Sequence, residues 1–329
     1  MADTDCSADI CAQVLQACFE QSRLGVCGAS SKPWRCVDPD IETLSLAAHR
    51  GVVSHDSPEL VVTVRAGTPL AELDAILAQQ GQMLAAECPD FSGRSTIGGA
   101  LALGWSGSRQ PWSGSLRDFV LGCRMVNGLG EPLRFGGRVM KNVAGYDISR
   151  LMSGSLGRLG VILELSLKLL PLPQREMTLQ FEFDCLGDSR QFVQGLQRAG
   201  EPVTGASYHA GLLRLRVSGQ NATLTRLAAN LGGQEADNDY WRNLRRLQLP
   251  FFTDAVPGES LYDWNGELCW SHSREGIPGR QVGNAPAVDL NTGPAHPGDG
   301  SEHLAELQRR VALAFDPAGV FQPAPVGAS

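Results

Sequence analysis

The spacing of apolar residues changes along the chain, and these changes predict an alternation of helices and strands. Apolar residues recur at helical spacing in residues 8–19 and 70–77, which predicts two amphipathic helices. Every second residue is apolar in residues 161–169, as in a half-buried strand. The apolar runs at 59–64 and 119–126 predict further strands. The pattern therefore indicates an α+β protein.

The second of these helices has recognisable end signals. Thr68 is predicted to be its N-cap and Pro69 its first residue, because a hydroxyl can accept an orphan amide and proline needs none. Gly81 follows the last apolar position and is predicted to end the helix. The sequence therefore predicts that this segment is a helix with one buried stripe of apolar residues.

A different order of elements begins after two prolines at 171 and 173, which predict a domain boundary. Strands are predicted at 178–183, 213–217 and 262–270, with helices at 189–199 and 221–231 between them. This β-α-β-α-β order is typical of a split-βαβ, ferredoxin-like domain. Residues 276–300 predict a long loop, and a last helix is expected after Ser301. We expect two domains, 1–173 and 174–329, the second including this helix and the tail.

Composition narrows the class of protein. The chain has 329 residues, a net charge of −7 and a pI near 5.4, which argue against nucleic-acid binding. No apolar stretch reaches 18 residues and the acidic start lacks a signal-peptide layout, so we expect a cytoplasmic protein without a transmembrane segment. The nine cysteines form no C-x-x-C pair, which favours reduced thiols and predicts no metal site.

Glycines are dense between residues 95 and 162, in four clusters at 95–100, 104–107, 140–147 and 154–162. A glycine inside a regular element costs roughly 0.5–1 kcal/mol relative to alanine, so such clusters favour close approach of the backbone to a ligand. A dinucleotide with an anionic pyrophosphate is a natural candidate. Tight turns in a sheet protein would explain any one cluster alone. The last cluster lacks the Rossmann spacing and precedes a strand.

Several stretches resemble the FAD-binding oxidases of the vanillyl-alcohol-oxidase/PCMH type, and within them the FAD-binding E subunits of bacterial glycolate oxidases. They include AGTPLAEL at 66–73, RDFVLG at 117–122 and RFGG at 134–137. Residues 140–150 are the most specific, and the resemblance returns at 314–321. It implies a PCMH-type FAD-binding domain of two α+β subdomains, followed by a small ferredoxin-like cap domain.

The resemblance also implies which residues hold a non-covalent FAD. The loop at 28–32 would bind the pyrophosphate through backbone N–H groups. Residues 96–99 and 106–107 would wrap the pyrophosphate and approach the flavin ring, where a proline at 89 lines the site. Residues 160–162 would meet the adenine side. The candidate cofactor-binding residues are Gly28, Ala29, Ser30, Ser31, Lys32, Pro89, Thr96, Ile97, Gly98, Gly99, Ser106, Gly107, Gly160, Val161 and Ile162.

The chain departs from the family pattern at two places. Ala29 and Ser30 stand where relatives usually carry glycine, which is tolerated if φ is negative there. Residues 321–325 read FQPAP where the family has F-N-P-G-R, so a hydrogen-bonding tail is missing. Arg109 could contact an anion or form a structural salt bridge. No catalytic residue is assigned. An aromatic cluster is expected in a core or interface, with the wall of a substrate pocket as the alternative: Trp241, Phe251, Phe252, Trp264 and Trp270.

The function implied is that of an FAD-binding subunit in a complex that oxidises glycolate or a related 2-hydroxy acid to the 2-oxo acid. Its implied partners are a larger FAD-binding D-type subunit and an iron–sulfur F-type subunit, in a complex able to sit peripherally on the inner membrane. Without a base and an anion clamp in this chain, substrate oxidation is expected on the D-type partner. The alternatives are a stand-alone FAD-linked dehydrogenase of D-lactate or another 2-hydroxy acid, and a flavin-free assembly subunit.

Overall fold

A computed structural model describes residues 3–32, 40–137, 146–253, 259–272, 278–282, 288–289 and 302–321. Most of the specific 140–150 segment, including Lys141, lies outside the described residues. So do the 322–325 departure and the predicted cap Ser301.

Residues up to Pro171 form three sheets and the helices between them. A parallel pair, β1-β2, stands beside a five-stranded antiparallel sheet in the order β3-β4-β8-β6-β7, and β5 pairs with β9. The strands are β1 Leu24–Cys27, β2 Glu42–Ser45, β3 Val52–Asp56, β4 Val61–Arg65, β5 Gln82–Met83, β6 Val120–Val126, β7 Pro132–Gly136, β8 Val161–Lys168 and β9 Leu170–Pro171. The α-helices are α1 Ser7–Glu20, α2 Leu70–Gln79, α3 Ile97–Leu103, α4 Gln110–Ser113, α5 Leu116–Phe119 and α6 Ile148–Leu151, with a 3-10 turn at Phe91–Gly93.

The start of α2 differs from the prediction. Pro69 is the N-cap and no side chain caps the helix. The fully buried Thr68 instead accepts a hydrogen bond from the amide of Gly51 at 2.9 Å and donates to the carbonyl of Gly51. The hydroxyl links the residues before α2 to Gly51, just before β3, because a buried polar group needs a hydrogen-bond partner. The predicted apolar stripe is buried, and Gly81 has a φ of +65° at the helix end.

The second half of the chain builds an eight-stranded sheet. Its order is β13-β10-β12-β11-β14-β15-β16-β17, and its first part, with two helices, has the βαββαβ connectivity of a split-βαβ fold. The strands are β10 Arg175–Glu182, β11 Val203–His209, β12 Leu212–Gly219, β13 Gln234–Ala236, β14 Ser260–Asp263, β15 Leu268–His272, β16 Pro278–Val282 and β17 Val288–Asp289. The helices are α7 Leu186–Arg198, α8 Asn221–Leu231, α9 Asp239–Arg245 and α10 Pro250–Thr253, with a 3-10 turn at Trp264–Gly266.

Three predictions for this half were wrong. The sequence pattern missed β11, predicted one strand where β14 and β15 flank a 3-10 turn, and predicted a continuous loop where β16 and β17 lie. These strands carry glycine, serine, proline or charged residues among the apolar ones. They form because each pairs with a neighbour already in the sheet.

The last helix, α11 Glu302–Phe315, packs on the first half of the molecule, although the prediction grouped it with residues 174–329. The amide of Leu24 donates to the carbonyl of Val320 at 2.7 Å, so the chain after α11 extends the edge at β1. The division at residue 173 stays a prediction, which the change of sheet between Pro171 and Arg175 supports. In the described part of the chain, every helix is too short or too polar to cross a membrane.

Candidate cofactor site

Two of the predicted segments meet at the end of β1. The hydroxyls of Ser31 and Ser95 lie 3.1 Å apart. A Cβ on Gly28 would lie 2.4 Å from Oγ1 of Thr96, so only glycine allows this approach of the loop at 28–32 to the start of α3. The structure therefore brings the two predicted pyrophosphate-binding segments into contact.

The start of α3 divides the predicted residues into two kinds. Thr96 caps the helix by accepting the amide of Gly99 at 3.2 Å. The amides of Ile97 and Gly98 already donate to the carbonyls of Thr68 and Ala66, both at 2.9 Å. Ile97 and Gly98 therefore anchor the helix, and Thr96 and Gly99 remain as the residues that can face a ligand.

The loop at 28–32 offers more backbone N–H groups to a ligand than the start of α3 does. Of the described residues, none accepts a backbone hydrogen bond from the amides of residues 28 to 31. Ser30 has a φ of +48°, against the expectation of a negative value, and left-handed residues in loops are how backbone N–H groups form anion-binding nests. The ammonium of Lys32 lies 3.0 Å from the position that a Cβ on Gly99 would take. Amides, an ammonium and the Thr96 hydroxyl thus form a cradle that fits a pyrophosphate.

Pro89 is linked to this cradle through a hydrogen-bond chain that sequence reasoning missed. The buried carboxylate of Asp90 accepts the amide of Ser95 at 2.9 Å, and the hydroxyl of Ser95 faces that of Ser31. Arg245 fixes the segment from the other side, since its Nε donates to the carbonyl of Cys88 at 2.8 Å. The only sequence signal for Asp90 was its place just before the first glycine cluster.

Ser106 and Gly107 form a wedge between the two halves of the molecule. A Cβ on Gly107 would lie 2.1 Å from the carbonyl oxygen of Glu87, so a side chain here is excluded. The Gly107 amide donates to Ala86, and its carbonyl accepts the indole N–H of Trp264 at 2.9 Å. The Ser106 hydroxyl accepts the amide of Leu116 at 2.9 Å. Ser106 and Gly107 thus hold the backbone between the two halves, and most of their polar groups are already hydrogen-bonded to other residues of the chain.

Gly160, Val161 and Ile162 stand at the start of β8. The φ of Gly160 is +140°, and a Cβ there would lie 2.3 Å from Cε of Met125, which requires glycine. The side chains of Val161 and Ile162 are buried in the core, so only their backbone can face a ligand.

Arg109, whose role the sequence left open, is part of a buried ion network. Its Nε lies 3.0 Å from Glu87, and it also pairs with Glu176 of β10. Glu87 is bonded in addition by Arg216 of β12 at 2.8 Å. Burial by itself would raise the pKa of Glu87, but Arg216 and Arg109 outweigh it and hold that pKa at about 2. Arg109 is therefore a structural residue that joins the two halves.

Comparison with known proteins decides the family. Residues 6–136 match the model of an FAD binding domain. The chain is 38% identical to the glycolate oxidase subunit GlcE of Escherichia coli (strain K12), over 98% of both chains. The chain belongs to the GlcE family. Membership in this family of FAD-binding oxidoreductases gives FAD as the cofactor, and the cradle described above fits it.

Other similar proteins share part of the chain or only its fold. The Bacillus subtilis (strain 168) glycolate oxidase subunit GlcD is 35% identical over 44% of this chain and 31% of its own length. A D-lactate dehydrogenase of Anaerostipes hadrus is 32% identical over 45% of this chain and 32% of its own. A solved alkyldihydroxyacetonephosphate synthase superimposes with a TM-score of 0.69 at 16% identity, covering 97% of this chain and 74% of that one. The PCMH-type fold predicted from the sequence is confirmed.

Proposed function

We propose that this GlcE-family chain is the FAD-binding subunit of a complex that oxidises glycolate or a related 2-hydroxy acid to the 2-oxo acid. The observation that carries the proposal is the cradle at residues 28–32 over Thr96 and Gly99, in a chain that matches a glycolate oxidase subunit over nearly its whole length. When bound, FAD supplies the two-electron redox chemistry. The chain binds and orients it.

Different described residues bind different parts of FAD. The amides of residues 28–31, the ammonium of Lys32 and the hydroxyl of Thr96 hold the pyrophosphate. Pro89 and the wedge at 106–107 flank the flavin ring, and the backbone of 160–162 meets the adenine side. The cofactor is held without a covalent bond.

The partners follow from the same family. We propose a larger FAD-binding GlcD-type subunit and an iron–sulfur F-type subunit, to which electrons pass through the flavin. The similar proteins of Escherichia coli and Bacillus subtilis are named as subunits of glycolate oxidase, which supports a complex. The 2-hydroxy acid is the small-molecule substrate of that complex, which we place in the cytoplasm.

The cradle is tested by Gly99→Ala. The new methyl group would lie 3.0 Å from the ends of two side chains, Lys32 and Thr96, which can move, so the chain still folds while the cradle narrows. We expect the dissociation constant for FAD to rise roughly tenfold or more. The control is Gly195→Ala in α7, where no heavy atom lies within 4 Å of the new methyl group. Gly195→Ala should gain about 0.5–1 kcal/mol of helix stability, and only Gly99→Ala should lose FAD.

The measurement is the visible absorption spectrum of the purified chain, followed by heat release and identification of the flavin. Flavin bands that weaken in Gly99→Ala and persist in Gly195→Ala support the proposal. A spectrum without flavin bands after addition of FAD would instead favour a flavin-free assembly subunit. Turnover of D-lactate by the single chain with an artificial acceptor would favour a stand-alone dehydrogenase.

A further inference from the structure

Buried polar atoms without a partner gather on one face of the eight-stranded sheet. In the described part of the chain, no hydrogen-bond partner is found for Nε of Arg280, either ring nitrogen of His272, or the indole nitrogen of Trp270. Arg280 is 7% exposed and His272 4% exposed. Buried polar groups in native proteins are nearly always hydrogen-bonded. Three such side chains in one place are therefore candidates for hydrogen bonds to a bound ligand.

The strand register places these side chains side by side. Trp270 of β15 stands directly opposite Arg280 of β16 in the antiparallel pair. His272, two residues further along β15, projects from the same face of the sheet. Its ring stacks on Phe251 at 4.5 Å, which fixes the ring plane. The unpartnered nitrogens thus belong to neighbouring positions on one surface.

The guanidinium of Arg280 is surrounded by indole rings. Its central carbon lies 4.5 Å from the ring centre of Trp105, 5.4 Å from that of Trp264 and 5.5 Å from that of Trp270. A cation–π contact places the cation over the face of a ring, and it does not replace the hydrogen bonds that the five N–H donors of a guanidinium can make. Burial lowers the pKa of Arg280 to about 10, the sign of a cation that lacks solvation. A buried cation is costly without an anion.

The charge of Asp263 acts to raise the pKa of Arg280, but its carboxylate is hydrogen-bonded to other residues. Its Oδ2 accepts the hydroxyl of Ser108 at 2.6 Å, and its Oδ1 accepts the amide of Trp264 at 2.8 Å. Its carboxylate oxygens thus already accept hydrogen bonds from other donors. Among the described residues, Asp263 acts on Arg280 through its charge, and Nε of the guanidinium has no bonded acceptor.

The surface faces the segments assigned above to the flavin ring. Trp105 directly precedes the wedge at 106–107, and Trp264 donates its indole N–H to the wedge carbonyl at 2.9 Å. Phe91, two residues after Pro89, has its ring centre 6.2 Å from that of Trp105. A ligand held by Arg280 would therefore lie between the eight-stranded sheet and the flavin side of the cofactor site.

We propose that Arg280 and His272 form an anion site beside the flavin, which binds the carboxylate of a small 2-hydroxy acid or of its 2-oxo product. The guanidinium edge matches two carboxylate oxygens, and the His272 and Trp270 nitrogens can bond the neighbouring oxygen. The inference rests on the proposed function, since it names the substrate site of the same flavin. It replaces the expectation that this chain lacks an anion clamp.

The test compares thermal unfolding of the FAD-loaded full chain with glycolate and with glycolamide, which has the same shape and no charge. At about a hundred times its dissociation constant, glycolate should raise the midpoint of the wild-type chain by several degrees, while glycolamide should not. Arg280→Met should abolish the shift and melt at or above the wild-type temperature without ligand. The matched control is Arg190→Met, which removes an exposed arginine of the same half and should keep the full shift.

Three results would overturn the site: equal shifts with glycolate and glycolamide, no shift in the wild-type chain, or an undiminished shift in Arg280→Met. Loss of FAD from Arg280→Met with an unchanged glycolate shift would also overturn it, because the arginine would then serve the cofactor. If Arg280→Met does not fold, Arg280→Lys and His272→Asn take its place, each expected to weaken glycolate binding roughly tenfold. Flavin absorbance of the same samples reports separately on the proposed function.

Discussion

Ser30 carries backbone strain in the cofactor loop. Its φ of +48° lies in the left-handed region, where an L-residue costs roughly 1–2 kcal/mol. We expect Ser30→Gly to raise the free energy of unfolding by about 1 kcal/mol, measured with urea on the purified chain. The control is Ala29→Gly, at a position without positive φ, which should lower stability by about 0.5–1 kcal/mol. Equal effects of the two substitutions would contradict a strained loop.

Ser30 also shows how much the glycine pattern of the sequence reveals about single residues. The sequence indicated that the 28–32 loop approaches a ligand, and the structure retains a left-handed residue there although serine replaces glycine. It could not indicate that the amides of Ile97 and Gly98 are bonded to Thr68 and Ala66, since those partners lie 29 and 32 positions away in the chain. The residue types in the sequence predicted the cradle. The hydrogen bonds in the structure then showed which of these residues have groups left to line it.

At the scale of elements, the ion network joins the α4 region to β10 and β12. Glu87 pairs with two arginines, Arg109 and Arg216, and all three are largely buried. Glu87→Gln would leave Arg216 without its anion and Arg109 with Glu176 alone, so we expect a loss of about 3 kcal/mol in the free energy of unfolding at pH 7. Glu267→Gln, which breaks the exposed pair with Arg190, should cost less than about 1 kcal/mol. Similar losses in both would contradict a buried network.

The contribution of Glu87 should depend on pH. Its pKa is about 2 in the folded chain and 4.5 for an ordinary glutamate, so folding favours the ionised form. Its stabilisation is therefore present above about pH 4.5 and is lost as the pH falls towards 2. We expect the stability difference between the wild-type chain and Glu87→Gln to shrink over that window in urea titrations. A constant difference would exclude Glu87 as its source.

At the scale of the whole molecule, residues 316–321, which follow α11, pack against the first half. Phe321 is 6% exposed beside β1, and both its amide and that of Val320 donate to the buried carboxylate of Asp316. We expect Phe321→Ala to lower the free energy of unfolding by about 3 kcal/mol. Leu307→Ala, at a position on α11 that is 54% exposed, should change it by less than about 0.5 kcal/mol. Chemical unfolding of both variants decides whether α11 and the following residues belong to the first half.

By itself, the sequence determined the strongly periodic elements, the FAD-binding family and the candidate segments for the cofactor site. These depend on residues close together in the chain: the stripe of α2, the alternation of β8 and the glycine clusters. Only the tertiary structure decided the partners of the polar groups, because they come from distant residues. Arg216 reaches Glu87 across 129 positions, and Arg280 of β16 meets Trp105, which follows α3 in the first half. Local periodicity carries no record of such pairs, since folding brings them together only when the sheets pack.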